Sequence, residues 1–402
     1  MRIGILCQGF ADWGGGIDFL RMVVSSLHHS NDALELHMLV PTRGPRLTAM
    51  RVLRHTFRSA KAAIGRASVV PPRPDARHLT DLANSAEQLI AVHEIDVGTS
   101  AIVRAARRLS LDVLIPAFTP LPSDFPTPWV GYVYDFQHRY FPQLFTLADC
   151  AQRDKHFSEM LENASAVIVN ARTVAADIAR FHPDAQAKVF ALPFSAAPQA
   201  AWLVTRPSPA RKYGVERPYF IICNQFWKHK DHATAFAAFA QIAATHPNID
   251  LVCTGATGDY RDPDYFSALQ RSLSRDHLSH RVHILGMVSK ADQITLLKEA
   301  IALIQPTLFE GGPGGGAVYD AVSLGVRCVV SDIKVNCELL EPGISFFPAG
   351  NVSALAAQMS ATVELPFAIE HRAELLLQRG KARRAACGAQ ILAAIEYACE
   401  HR

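Results

Sequence analysis

Short apolar runs alternate with longer amphipathic stretches along this chain, and the alternation starts twice. In the first half "RIGILC", "LELHMLV", "LDVLIPA", "WVGYVYD" and "SAVIVNA" are the short runs, while "GGGIDFLRMVVSSLHH" carries apolar residues at helical spacing. From Pro218 onward "YFIICN", "DLVCTG", "VHILG", "IALIQP" and "RCVVSD" repeat the pattern, separated by helical stretches such as "HATAFAAFAQIAATH" and "ADQITLLKEA". A doubly wound parallel sheet reads this way. Between the halves, "PFSAAPQAAWLVTRPSPARKYG" is rich in Pro, Ala and Ser without a sustained period and reads as a linker. The expectation is an α/β chain of two Rossmann-like domains facing each other across a cleft. Residues 1–195 form the first domain, 196–217 the linker and 218–371 the second domain, and the basic helical end, 372–402, is expected to pack back on the first. A length of 402 residues, 49% hydrophobic and 19% charged, suffices for two or three ordinary domains.

Charge and cysteine usage narrow the partners. A formal charge of +3 is too small to argue for nucleic acid, and none is expected as a partner. The cysteines (Cys7, Cys150, Cys223, Cys253, Cys328, Cys337, Cys387, Cys399) are scattered, with no CxxC pair and no His/Cys cluster at zinc spacing. That favours a reducing compartment. "MRIGILCQGF" has one basic residue and an apolar run that stops at Gln8, too short for a signal peptide, and no later stretch reaches the length needed to span a bilayer. A cytoplasmic location is the expectation.

The second half holds "EGGPGGGAVYDA", residues 310 to 321, between a strand ending in "IALIQPTLFE" and a helix opening with "VYDAVSLG". Glycines in that place let backbone N–H groups at a helix N-terminus approach an anion. They equally suit a turn that only connects strand to helix. A Walker A loop is excluded, because no Gly-Lys-Ser/Thr follows. Hydride transfer fares poorly as well, since "GFADWGGG" after the first strand is a lone near-match to GxGxxG. The acids on either side, Glu310 and Asp320, separate the remaining options. A pyrophosphate has no use for two extra negative charges, whereas a sugar nucleotide carries vicinal hydroxyls on its ribose and its sugar, and carboxylates accept such hydrogen bonds well.

Here the chain resembles the retaining glycosyltransferases of family 4, within glycosyl transferases group 1, which have the GT-B fold. Their C-terminal domain carries a strand, an E-G-x-G type loop, a second acid and then A-x-x-x-G-x-P-V-V-x-S-D. This chain has "PTLFEGGPGGGAVYDAVSLGVRCVVSDIKVNCELL". The GG turn after the first strand and "KVFALPF" before the linker agree more weakly. The resemblance implies an acceptor-binding first domain and a nucleotide-sugar-binding second domain. It implies Glu310 by the donor sugar's hydroxyls, Asp320 by the ribose, and Gly311, Gly312, Gly314, Gly315 and Gly316 along the donor. The family's second acid is a glutamate at closer spacing, so the donor loop is longer here.

Other positions carry over in the same way. "CNQFWKHKDH" stands in the place of the family's G-R-x-x-x-x-K-G, whose Arg and Lys neutralise the diphosphate. Lys230 matches the lysine and Gln225 replaces the arginine; Lys228 or His229 either supplies that charge or is a solvated loop residue. "VHILGMV" matches the stretch against the base, with Gly286 and Met287 as contacts, or is an ordinary buried strand end. In "GYVYDFQHRYFP" Tyr134 replaces the family's histidine, Asp135 orients an acceptor hydroxyl, and His138 either serves in its stead or is structural. In "DWGGG", Gly14, Gly15 and Gly16 bring backbone close to donor or acceptor, and Asp12 is a turn former.

The resulting expectation is a metal-independent, retaining transfer of a hexose to the hydroxyl of a glycan or lipid-linked glycan in surface polysaccharide or lipopolysaccharide biosynthesis. GDP-mannose, or a related GDP- or UDP-hexose, is the donor, and no cofactor is required. Lys230, the loop amides and a helix N-terminus stabilise the departing diphosphate, and Glu310 orients the sugar. The alternatives are an epimerase or phosphorylase of the same fold, or a catalytically idle sugar-nucleotide-binding protein, to which Gln225 lends weight. One further stretch bears on location. Residues 43–73, "RGPRLTAMRVLRHTFRSAKAAIGRASVVPPR", hold eight Lys or Arg and no acid, with Arg51, Arg54, Arg58 and Lys61 at helical steps beside Met50, Leu53, Phe57 and Ile64. They read as a solvated basic helix, or as a surface for an anionic membrane or a lipid-linked pyrophosphate, giving a peripheral association with the inner membrane face.

Overall fold

The short apolar runs pair in parallel and build two sheets. A computed structural model describes residues 1–10, 14–31, 33–41, 91–366 and 372–401; the basic stretch 43–73 and Asp12 lie outside the described residues. In the first sheet β1 (Arg2–Leu6), β2 (Glu35–Pro41), β3 (Ala91–Ile95), β4 (Val113–Ala117), β5 (Trp129–Val133), β6 (Ala166–Val169) and β7 (Lys188–Ala191) take the order β3-β2-β1-β4-β5-β6-β7. The second sheet runs β10-β9-β8-β11-β12-β13, from β8 (Tyr219–Cys223), β9 (Asp250–Thr254), β10 (Val282–Gly286), β11 (Leu303–Gln305), β12 (Cys328–Ser331) and β13 (Ile344–Phe347). Each order is that of a doubly wound Rossmann sheet.

Central strands such as β5, β6, β9 and β12 are buried at every residue, which is why they read as continuous apolar runs. The expected runs omit β3, β7 and β13. All three are edge strands with half-exposed side chains; β3 (AVHEI) and β7 (KVFA) carry polar residues that weaken the apolar signal, whereas β13 (ISFF) is mostly apolar but only four residues long.

Two compact units result, Met1–Pro193 with Arg384–Arg402, and Phe194–Arg383. The segment read as a linker, 196–217, lies in the second unit. Ala196 and Val215 are buried in its core, and Trp202, Leu203, Ala210 and Tyr213 pack against it. The helix Ala373–Glu400 starts in the second unit, and its later turns bury Cys387, Ile391, Ala394, Ile395 and Ala398 in the core of the first. Gly388 permits this. A Cβ there would strike the backbone carbonyl of Ser26, while the Ser30 hydroxyl donates to Ala385 O at 3.1 Å.

At the N-terminal end of β9, Asp250 is 4% exposed and anchors a buried ionic cluster. Its Oδ1 accepts from Arg281 Nε at 2.8 Å and Arg217 Nη1 at 3.4 Å, and its Oδ2 pairs with His283 Nε2 at 2.9 Å. The cysteines are unbridged thiols. Among the described residues, no helix is long and apolar enough to cross a membrane.

Candidate functional site

In the second sheet the chain order reverses between β8 and β11, and ligands of open parallel sheets lie outside the C-terminal ends of strands at such a reversal. Each of the two strands delivers an amide there. Asn224, just after β8, donates from Nδ2 to Gln305 Oε1 at 2.8 Å. Gln305, the last residue of β11 and fully buried, donates from Nε2 to Glu310 Oε1 at 3.0 Å and to Gly314 O at 2.8 Å. A buried polar atom must find such partners, so these bonds fix the start and end of the glycine loop.

Further ties hold the loop from below. Gly314 N donates to Asn336 Oδ1 at 2.8 Å, Asn336 Nδ2 donates to Ser331 O at 2.9 Å, and Ser331 Oγ donates to Thr307 O at 2.5 Å. Gly314 and Gly315 both adopt left-handed backbone, φ 70° and 63°. A Cβ at Gly315 would press on the Glu310 carboxylate at 2.9 Å, so glycine is required there. The helix Gly315–Ser323 follows with no side chain capping its first turn, leaving its positive end to the loop.

Glu310 and Lys230 meet. Lys230 Nζ donates to Glu310 Oε1 at 2.5 Å, with the two side chains 13% and 9% exposed. The backbone explains the meeting, because Leu308 N and Thr307 Oγ1 both donate to the carbonyl of His229, the residue before Lys230, at 2.8 and 3.2 Å. Lys230 and Gln305 thus share Oε1, and Glu310 Oε2 accepts from no described residue. One oxygen is anchored and the other is available.

Asp320 lies on the helix Gly315–Ser323, where its Oδ2 accepts from Lys290 Nζ at 2.5 Å. Lys290 opens the helix Lys290–Glu299, whose N-cap Ser289 accepts from Asp292 N at 3.1 Å. Its ammonium lies 5.3 Å from the Trp202 ring centre. Cys223, at the end of β8, has its thiol pushed up to about 11, chiefly by burial, and lies within the fields of Asp320 and Lys290.

The residues around Lys230 sort differently from the expectation. Gln225 is half-buried and its Oε1 is buried without a partner among the described residues. Lys228 points to Asp262, at 2.8 Å. His229 is neutral: burial, then the charges of Lys230 and Arg261, push it down to about 2. His229 therefore brings no charge to this place, and the Lys228 ammonium is paired with Asp262. Arg261, which nothing in the local pattern singles out, pairs with the fully buried Asp259 carboxylate at 3.1 Å and lies 3.3 Å from His229 Nδ1.

His232 is fully buried, stacked on Phe226 with ring centres 4.0 Å apart, and burial pushes it down to about 3. Both rings stay neutral when folded but take a proton when unfolded. The unfolded chain therefore binds more protons below 6.5, and stability falls as pH drops from there toward the folded values. At pH 5 the loss should reach about 2 kcal/mol for each ring. Urea midpoints of the second unit, compared at about pH 7 and pH 5, should show it, and His232→Phe should remove about half of the fall. A midpoint that does not move with pH would contradict the assignment.

Gly286 ends β10 at φ 66° with open space where a Cβ would lie, and its carbonyl accepts from Gly255 N at 2.8 Å. Met287 beside it is 66% exposed. Gly311 and Gly312 are half-buried in the loop and Gly316 is exposed in the first helical turn.

In the first unit, Gly15 and Gly16 lie in the first turn of the helix Gly14–Ser30, after β1. Asp135 follows β5. Its Oδ1 accepts from Arg153 Nη2 at 2.6 Å and Gln137 N at 2.9 Å. His138 is 1% exposed, with Nε2 donating to Asp154 Oδ1 at 2.7 Å and Nδ1 accepting from Arg153 Nε at 3.2 Å. Both of its nitrogens are engaged within the unit. Arg153 lies 4.9 Å from the Tyr134 ring centre and 5.2 Å from that of Phe145. The loop acids and Lys230 stood out in the sequence, whereas Asn224, Gln305, Asn336 and Arg153 did not; a polar residue closing an apolar run, as in "YFIICN" and "IALIQP", is the signal that pointed to two of them.

Residues 209–378 match the family Glycosyl transferases group 1. The group 1 segment contains Gln225, Lys230, Gly286, Glu310, the glycine loop and Asp320. No curated protein sequence matches the chain significantly. Solved structures match over nearly the whole length. The Anabaena protein HepE in complex with UDP-glucose is 16% identical, with 100% of this chain and 98% of that chain covered at a TM-score of 0.60. Sucrose-phosphate synthase from Thermosynechococcus elongatus is 14% identical, covering 98% and 97% at 0.61. A UDP-forming trehalose-phosphate synthase from Burkholderia xenovorans is 12% identical, covering 98% and 98% at 0.56. The fold is GT-B, with two Rossmann-like domains.

Proposed function

We propose that the protein transfers a hexosyl group from a nucleoside diphosphate sugar to an acceptor hydroxyl, with retention and without a metal. The observation that carries this is the Glu310 carboxylate, with Oε1 anchored by Lys230 and Gln305 and Oε2 available to a sugar hydroxyl beside an uncapped helix start. Lys230 has further N–H groups for the departing diphosphate, and the uncapped helix start at Gly316 adds its positive end, while Gly314 N and Gly315 N are held by Asn336 Oδ1 and Gly312 O and shape the loop. The fixed charge of Glu310 then lies near the electron-poor sugar carbon.

HepE was solved with UDP-glucose and the Burkholderia synthase is described as UDP-forming, which supports a nucleoside diphosphate sugar as donor. Mannose from GDP-mannose is the first candidate by the family resemblance. The acceptor is a glycan or lipid-linked glycan of surface polysaccharide, presented at the cytoplasmic membrane face, with Asp135 oriented toward its hydroxyl by Arg153.

Thermal shifts with UDP-glucose, UDP-galactose and GDP-mannose test the reading, since a bound donor stabilises the folded state by mass action. The cognate donor should raise the midpoint and should release nucleoside diphosphate slowly without acceptor, unlike the substrate of an epimerase or phosphorylase. The absence of a shift with every nucleotide sugar would refute it. Asp320→Asn should weaken binding of the free nucleoside diphosphate roughly tenfold or more, the value of one charge-assisted hydrogen bond. Isothermal titration reads this directly.

A further inference from the structure

Lys290 and Asp320 come from helices that follow β10 and β11, and they meet near the end of β8, close to where the second sheet reverses its order. A surface ion pair could sit anywhere on the unit. This one lies over the strand ends where ligands of such sheets bind: one turn after Lys290 on the same helix, Gln293 Nε2 donates to Oγ1 of Thr254, the last residue of β9, at 3.3 Å. Its chemistry is also particular. Each hydroxyl of a vicinal diol both donates and accepts, so a carboxylate alone meets only half of its hydrogen-bonding capacity. A lysine ammonium at 2.5 Å from that carboxylate brings further donors to the same point.

We propose that Lys290 is a specificity-determining residue for the nucleotide: with Asp320 it reads the ribose 2′,3′-diol, Asp320 accepting from the hydroxyls and Lys290 donating to their oxygens. The inference rests on the nucleotide-sugar reading of Asp320. The position of Lys290 over Trp202 holds the ammonium beside the acid and limits the shift it needs when ribose enters. A side chain 43% exposed tolerates replacement, so Lys290→Met should fold normally.

Isothermal titration with UDP, GDP and their 2′-deoxy counterparts tests the proposal. Wild-type protein should bind its preferred ribonucleotide about tenfold or more tightly than the 2′-deoxy form, because a deoxy ligand forfeits the charge-assisted hydrogen bonds its 2′-hydroxyl would make with the pair. In Lys290→Met the ratio should shrink to about threefold or less, mainly through weaker ribonucleotide binding. A ratio unchanged in Lys290→Met overturns the role of Lys290 while leaving the nucleotide reading intact. Wild-type protein that binds neither UDP nor GDP overturns both.

Discussion

Glu310→Gln should lower turnover by about a hundredfold or more while nucleoside diphosphate affinity changes little. Glutamine keeps the size, and its Oε1 can still accept from Lys230 and Gln305, so the loop ties through Gly314 and Asn336 persist. Two things are lost. The available oxygen becomes an N–H₂ donor where a sugar hydroxyl needs an acceptor, and the negative charge beside the developing cation disappears. The Lys230 ammonium is also left against a neutral amide at 13% exposure. Lys230→Ala acts on the leaving group instead and should forfeit about 2 to 4 kcal/mol of transition-state stabilisation. Single-turnover release of nucleoside diphosphate, run beside calorimetric binding, separates the two effects. Near-normal turnover in Glu310→Gln would sink the proposed role of the loop.

Asp250→Ala should cost the second unit about 3 to 5 kcal/mol. Asp250 faces Arg281, Arg217 and His283, and the Arg281 side chain is only 8% exposed. Removing the acid leaves a buried guanidinium whose remaining partners are the carbonyls of His246 and Ile249. Uncompensated charge in a water-poor site drives the loss, more than the missing contacts themselves. The double variant Asp250→Leu with Arg281→Met removes both charges and should recover most of the stability, since apolar replacement of a buried pair is often close to neutral. Urea unfolding followed on the transition of the second unit measures both. A single variant within about 1 kcal/mol of wild type would show that water reaches the cluster.

The central strands were legible because each is buried on both faces and so is apolar throughout; β3 and β7 were not, because edge positions tolerate polar residues such as His93, Glu94 and Lys188, and β13 is a run of only four residues. The segment 196–217 misled for a related reason. Its apolar residues follow no period, yet Trp202, Leu203 and Tyr213 pack on the second core, which needs area and shape rather than spacing.

By itself the sequence determined two parallel-sheet domains and a glycine loop between acids, since burial periodicity and the conformational freedom of Gly314 and Gly315 are properties of neighbouring residues. Only the tertiary structure decided which polar groups meet. It brings Lys230 to Glu310 across eighty positions, places Gln305 between Asn224 and the loop, sets Lys290 on Asp320 and encloses His138. Hydrogen bonds and charge pairs of this kind depend on distances of a few ångströms between remote segments, and those distances arise only when strands pair in one order and the backbone carbonyls of one loop accept from the next.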